Sequence, residues 1–329
     1  MLLPVRNAEA TLGACLDSLL GQTLGEIEVL AVDDGSADGS GEQLTAVAGR
    51  DPRLRPVEAR RPGLVPALNL GLASARAALV ARMDADDVAA PGRLLAQAER
   101  LGSDPGVDVL GCAVELVEDQ AMPAPGMRAY VAWQNSLLDH ESIVREIFVE
   151  SPLVHPSVMM RTETLRSLGG YREFPGPEDY ELWLRAHRRG LRFAKLGDVL
   201  LSWRDSPARL TRKDPRYAPD RFREVKIAAL EEGLLHGGRD VVVWGAGPIG
   251  KAWARDLARI GHHIAAFVEV DARKIGARIQ GAPVLPVHEA GLRGPLHLGA
   301  VGQKGARHRI REAIARLGLE DGRDFVAVA

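Results

Sequence analysis

Cysteine is scarce. Cys15 and Cys112 are the only two in 329 residues, too few and too far apart for a disulfide framework or a zinc site, and such usage fits a reducing compartment. Long apolar runs are missing as well. A bilayer-crossing helix needs roughly 20 apolar residues, and even the Ala/Leu-rich run from Leu64 is broken by Asn69 and Arg76. The first residues, MLLPVRN, meet Arg6 at once and do not read as a signal peptide. Charge of one sign is not in excess: the net charge is −2, which argues against sequence-independent nucleic-acid binding but leaves room for a local basic patch. No internal repeat or low-complexity tract is present. The expectation is a cytoplasmic protein without a membrane span.

What is present suits two folded domains. Hydrophobic residues make up 46% and charged residues 26%, enough for two cores at this length. Short apolar runs alternate with helical patterns. Glu28–Val32 reads as a buried strand, preceded by Leu12, Cys15, Leu16, Leu19 and Leu20 on one helical face. Leu79–Met83 reads as another strand, with Pro91 at a good first helical position. Met1–Val5 is short and reads as a trimmed start or a weak edge strand. The alternation predicts an α/β fold with a mostly parallel sheet, whose ligands sit at the strands' carboxyl ends. The domain boundaries expected are 1–217, a linking helix over 218–237, and a small Rossmann-like α/β domain over 238–329.

Three acidic clusters carry chemistry. Asp33-Asp34-Gly35-Ser36 and Asp84-Ala85-Asp86-Asp87 each follow a strand, and Glu178-Asp179 opens a helix after Pro175-Gly176-Pro177. Alone, each has a bland reading: a turn and cap, a chance loop, and helix-dipole complementation. Together they supply what a diphosphate-leaving reaction needs. Carboxylates can hold a hard divalent cation against a diphosphate, and a separate carboxylate can take a proton from an attacking hydroxyl. His155, in HPSVMM, reads as a packing residue or a sugar contact. Trp183 reads as core, and Trp133 as the better candidate for a sugar platform.

The run PVRNAEATLGACLDSLLGQ, EVLAVDDGSADGS, ARMDADDVAAPGRL, HPSVMMRTETLRSLGGYRE and PEDYELWLR resembles the family 2 glycosyltransferases, which have the GT-A fold. The resemblance covers about the first two-thirds of the chain. It implies inverting transfer from a nucleotide-diphosphate sugar, UDP-linked by preference, with Mg²⁺ or Mn²⁺. By match to the family's motifs, Pro4, Asn7, Glu9 and Asp34 line the base pocket. Asp84 approaches the ribose, Asp86 holds the metal, and Asp179 is the base. Many relatives carry a His after the strand that follows the Glu-Asp helix; here stands Ser202-Trp203-Arg204-Asp205. Asp205 is then a substitute metal ligand, or Arg204 a phosphate clamp, or the two form a surface ion pair.

Gly245-Ala246-Gly247-Pro248-Ile249-Gly250 follows an apolar strand, and Glu269 lies nineteen residues beyond Gly250. This is a dinucleotide fingerprint in its expected context, hence a possible second nucleotide site at Gly245, Gly247, Gly250 and Glu269. The unit is only about half the length of a complete dinucleotide fold, and Pro248 removes one amide donor. A structural or assembly role is the alternative. Over nearly the full length, the order of segments also resembles the eukaryotic enzymes that galactosylate queuosine in tRNA, which would make tRNA, beside a glycan, a possible acceptor. The basic residues from Arg204 to Lys226 are then either a phosphate contact or a solvated helical face. Two other functions stay open: an NAD(P)-dependent oxidoreductase and a non-catalytic nucleotide-sugar-binding protein.

Overall fold

Strand β1 (Leu2–Val5) pairs in parallel with β2 (Val29–Asp33), and β2 with β3 (Leu54–Glu58). Alternate side chains serve opposite faces. Leu3, Val5, Val29 and Ala31 share a core with Leu12, Cys15, Leu16 and Leu19 of α1 (Glu9–Leu20). On the other face lies α3 (Leu64–Ser74), so close that a Cβ on Gly71 would meet Leu2 and Val32 at 3.1 and 3.4 Å. Helix α2 (Ser40–Ala48) joins β2 to β3. Burial of each such Leu or Val side chain is worth about 1.5–3 kcal/mol, which holds four-residue β1 in place. It is no edge strand, contrary to one expectation: Leu2 also bridges Arg82 on its free side.

The structure is a computed structural model that describes residues 1–59, 61–118, 125–206 and 209–329. Beyond Arg82 the sheet continues in the order β4, β7, β6, β8, β5. These are β4 (Leu79–Ala81), β5 (Val88–Ala89), β6 (Val109–Glu118), β7 (Met159–Arg161) and β8 (Phe193–Asp205). Helix α4 (Arg93–Ser103) starts two residues later than Pro91 suggests, with Gly92 as its cap. Then come α5 (Pro125–Asn135), α6 (His140–Glu146), α7 (Thr162–Ser167), α8 (Glu178–Arg188) and a single turn, α9 (Leu210–Lys213). Strand β5 folds back antiparallel onto the end of β8, which returns the chain between β4 and β5 to that end of the sheet.

The chain divides into two compact units: residues 1–143 with 152–217, and 144–151 with 218–329. The second begins its own sheet after α10 (Pro219–Glu231). Strands β9 (Val241–Trp244), β10 (Ile264–Val268), β11 (Arg278–Ile279), β12 (Ala282–Leu285), β13 (Leu296–Gly299) and β14 (Phe325–Ala327) lie in the order β11-β12-β10-β9-β13-β14. All but β11 are parallel to their neighbours. Five parallel strands in this doubly wound order are more than the three of a half fold. The unit is short because its crossovers economise on helix. Only α11 (Pro248–Arg259) and α12 (Ala306–Arg316) cross between parallel strands as α-helices, while β10 reaches β12 through turns and β11, and β12 reaches β13 through a loop with one short 3-10 turn. Among the described residues, no helix is long and apolar enough to cross a membrane.

Candidate active site

The loop Asp84–Asp87 is held largely through its backbone carbonyls. Thr11 Oγ1 donates to the Ala85 carbonyl at 3.0 Å, Cys15 Sγ to that of Asp84 at 3.3 Å, and Arg204 Nε to that of Asp86 at 3.0 Å. From behind, fully buried Arg93 donates to the Arg82 carbonyl at 3.0 Å and to Gln97 at 3.1 Å. Gln97 in turn donates to the Ser157 carbonyl at 2.9 Å. With the main chain so engaged, oxygens of Asp84, Asp86 and Asp87 come within 4.8 Å of one another.

That crowding has an electrostatic signature. Burial, then the charge of Asp84, raises the Asp86 carboxyl to about 6, and burial with both neighbours raises that of Asp87. Asp87 Oδ1 accepts the Arg204 N–H at 2.8 Å, while its buried Oδ2 has no hydrogen-bond partner. Carboxylates that resist ionising together, one with an oxygen left over, are a donor set a divalent cation would relieve. Sequence reasoning gave Asp87 no role, although it closes the same acidic run. Asp205, the expected substitute ligand, is otherwise engaged: its Oδ2 pairs with Arg212 at 2.6 Å, and Oδ1 lies 4.0 Å from Arg209. Among the described residues it is not in the close carboxylate group.

The second acidic group opens α8. Asp179 is partly buried and accepts the Tyr180 N–H at 2.8 Å. Burial, then the charge of Glu178, pushes its carboxyl up to about 7. Glu178 itself is buried. It accepts from the Tyr217 hydroxyl at 2.8 Å and lies 3.7 Å from His155 Nδ1. The other ring nitrogen of His155 meets the Tyr171 hydroxyl at 2.9 Å, and burial keeps the imidazole neutral by lowering its pKa. His155 is thus a packed, hydrogen-bonded residue, and Trp183, 1% exposed, is core.

Arg82 connects the two groups. It is 5% exposed and ion-paired with Asp84, and its field favours ionisation of Asp86, Glu178 and Asp179 alike. Sequence reasoning passed over it. Its signal was a cation two residues before the acidic run, at a position where the strand must be buried.

Pro4, Asn7, Glu9 and Asp34 gather at the carboxyl ends of β1 and β2. Pro4 lies opposite Val32 in the ladder. Asn7 takes a left-handed φ of 51°, and its Oδ1 accepts the Ala37 N–H at 2.8 Å. Glu9 Oε2 accepts the Gly39 N–H at 3.1 Å. Asp34 is 5% exposed, accepts the Gly63 N–H at 2.6 Å and pairs with Arg6 at 3.5 Å. The four therefore lie about the carboxyl ends of adjacent parallel strands, the end at which open α/β sheets take ligands.

In the second unit, two of the three fingerprint glycines have reasons within the fold. Gly245 has φ 104°, and a Cβ on Gly250 would lie 1.9 Å from the Gly245 carbonyl. At Gly247 nothing lies within 4 Å. Glu269 is committed locally, its Oε2 accepting from the Ala246 N–H at 3.2 Å and Lys274 at 3.0 Å. The basic run is internally paired too: Arg209 and Arg212 with Asp205, Arg216 with Asp214, Arg221 with Glu224, and Arg223 with Asp256.

The family described as "Glycosyl transferase family 2" matches residues 1–167. The amylovoran biosynthesis glycosyltransferase AmsE of Erwinia amylovora is 31% identical over 230 residues, 68% of this chain and 82% of AmsE. Among solved structures, S. aureus TarS 1–349 in complex with UDP-GlcNAc aligns with a TM-score of 0.55 at 22% identity, covering 71% of this chain. That alignment spans 65% of the TarS fragment, just under two thirds of its length. The mannosyltransferase PcManGT of Pyrobaculum calidifontis, in complex with GDP-Man and Mn²⁺, aligns with a TM-score of 0.51 at 19% identity, over 78% of each chain.

Proposed function

Because this chain belongs to family 2 of the glycosyltransferases, we propose that it moves a sugar from a nucleoside-diphosphate donor, UDP-linked, to an acceptor hydroxyl in one displacement with inversion. The observation that carries this reading is the pairing of two acidic groups about Arg82: three crowded carboxylates on one side and Asp179 on the other. Asp86, with Asp84 and Asp87, is the donor set for Mg²⁺ or Mn²⁺. When bound, such a cation neutralises charge on the leaving diphosphate.

The chain's own residues do the rest. Asp179 accepts the proton of the attacking hydroxyl, and its raised pKa suits a base working near neutrality. Asp84, ion-paired with Arg82, is the carboxylate for the ribose. Asn7, Glu9, Asp34 and Pro4 frame the base. Arg204 holds the acidic loop through Asp86 and Asp87, which sets its guanidinium beside that loop as the clamp on the diphosphate. Asp205, paired with Arg212, orders the chain after β8 instead of ligating. The relatives' names support the class: an amylovoran biosynthesis glycosyltransferase, a UDP-GlcNAc complex and a GDP-Man–Mn²⁺ complex.

A glycan is the preferred acceptor, because the arginines that would meet tRNA phosphates are neutralised by their own neighbours. Queuosine in tRNA is the second reading, resting on the order of segments alone. Residues 238–329 of the second unit are read as structural, since the acid that would bind a ribose is spent on Ala246 and Lys274. The same commitment counts against an NAD(P)-dependent oxidoreductase, and the intact Asp86 and Asp179 count against a non-catalytic binder. A cytoplasmic site of action goes with the two unpaired cysteines, both buried. The test is nucleotide release from a panel of UDP- and GDP-sugars with Mn²⁺, with and without bulk tRNA. Release from none of them, under conditions where the protein is folded, would sink the reading.

A further inference from the structure

A row of adjoining aromatic rings, headed by an arginine, begins next to the acidic loop's Arg204. The guanidinium of Arg209 lies 4.0 Å from the centroid of the Trp203 ring. Tyr130 stands 6.4 Å from Trp203 with the rings inclined at 47°, and Trp133 stands 5.8 Å from Tyr130 at 34°. Tyr130 and Trp133 are three residues apart on α5, so they share one helix face. The row passes from core to solvent: Trp203 is 7% exposed, whereas Tyr130 and Trp133 are half-buried.

Its inner end adjoins the proposed donor site. Trp203 precedes Arg204, which binds the acidic loop through both its N–H and its Nε. Arg209 also lies 4.0 Å from Asp205, the residue after Arg204. An indole that served only the core would be closed over, as that of Trp183 is at 1% exposure; leaving part of so large a ring in water forgoes burial energy. Aromatic faces that reach solvent, in a row that ends on a planar cation, match one class of molecule. A pyranose presents a face of C–H groups for an aromatic ring and a rim of hydroxyls for charged neighbours.

We propose that Trp133, backed by Tyr130, is the acceptor platform, and that the acceptor is a pyranoside whose ring stacks there. This rests on the glycosyltransferase reading of Asp86 and Asp179 and names the substrate class on its acceptor side.

Saturation-transfer NMR on the full chain tests the contact without donor or turnover. The probes are methyl β-D-glucopyranoside, methyl β-D-galactopyranoside and methyl 2-acetamido-2-deoxy-β-D-glucopyranoside, with glycerol 3-phosphate as an acyclic control. At least one pyranoside is expected to take up saturation on its ring protons. Trp133→Leu, close in shape to a core residue but without a π-face, should cut the signal about fivefold, and Trp133→Phe should retain it within about twofold. Thermal melts of both variants verify folding. Equal signals in Trp133→Leu and the unaltered protein, uptake by glycerol 3-phosphate alone, or no pyranoside uptake would each overturn the proposal. Any of these leaves the Asp86 and Asp179 assignments standing, because neither metal nor donor enters the measurement; conversely, a donor screen that fails leaves this contact readable.

Discussion

The hydroxyl of Tyr217 donates to Glu178 Oε2 at 2.8 Å, so the residue at the end of the first unit pins the buried acid beside Asp179. Glu178 cannot swing away, and its charge, together with burial, keeps Asp179 protonated up to about pH 7. A base must be ionised to act, so transfer falls as pH drops below that value, by about tenfold per unit. Glu178→Gln removes a neighbouring negative charge, which eases ionisation, and the acid limb of the kcat/KM profile should move to lower pH. Tyr217→Phe should move it less. A limb in the same place for Glu178→Gln and the unaltered enzyme would reject this coupling.

Asp179→Asn keeps the shape of the side chain and removes the proton acceptor. Transfer should drop by about two to four orders of magnitude, while UDP affinity, read by calorimetric titration, stays near that of the unaltered protein. Parallel loss of affinity and rate would put Asp179 in the donor pocket.

Asp86→Ala, or EDTA, should abolish donor turnover. The stability signature is separate and has a sign. Asp86 and Asp179 ionise near 6 and near 7 when folded, against 3.8 ordinarily. Raised carboxyl pKa values favour the folded state in acid, a contribution complete below pH 3.8 and lost as pH rises through 6 and 7. Metal-free protein should therefore lose Tm between about pH 4 and 7. Added Mn²⁺ should restore it by mass action, except in Asp86→Ala. An identical Mn²⁺ shift in that variant would remove Asp86 from the ligand set.

Gly250→Ala forces a Cβ to 1.9 Å from the Gly245 carbonyl, and backbone must move; the second unit should lose about 1–3 kcal/mol. Gly247→Val meets open space at an ordinary φ of −87°, and sugar transfer should stay within about twofold once stability is allowed for. Calorimetry of the full chain against NAD should give no heat of binding. Micromolar or tighter NAD binding, removed by Gly247→Val, would make the turn a nucleotide site and reverse the structural reading of this unit.

Local pattern carried much of the architecture. One-faced runs such as Leu12, Cys15, Leu16 and Leu19 can be satisfied only by a helix on a sheet, and the acidic runs had to end up where strands end, because carboxylates cannot be buried along them. The family's motifs and the alternation of strand and helix were legible for the same reason: each is contiguous in the chain. What pairing across the sheet decides is not contiguous. That β1 is internal depends on a bridge from Leu2 to Arg82, eighty residues away. That Asp87, not Asp205, completes the close carboxylate group depends on β5 folding onto β8 and on Arg212 claiming Asp205. That Glu178, His155, Tyr171 and Tyr217 form one chain of polar contacts beside Asp179 depends on segments about sixty residues apart closing over the head of α8. Residue type and local period determine what a segment can become. Which charges then share one low-dielectric space, and so which of them must hold a proton or a cation, is set only when distant segments exclude water from between them.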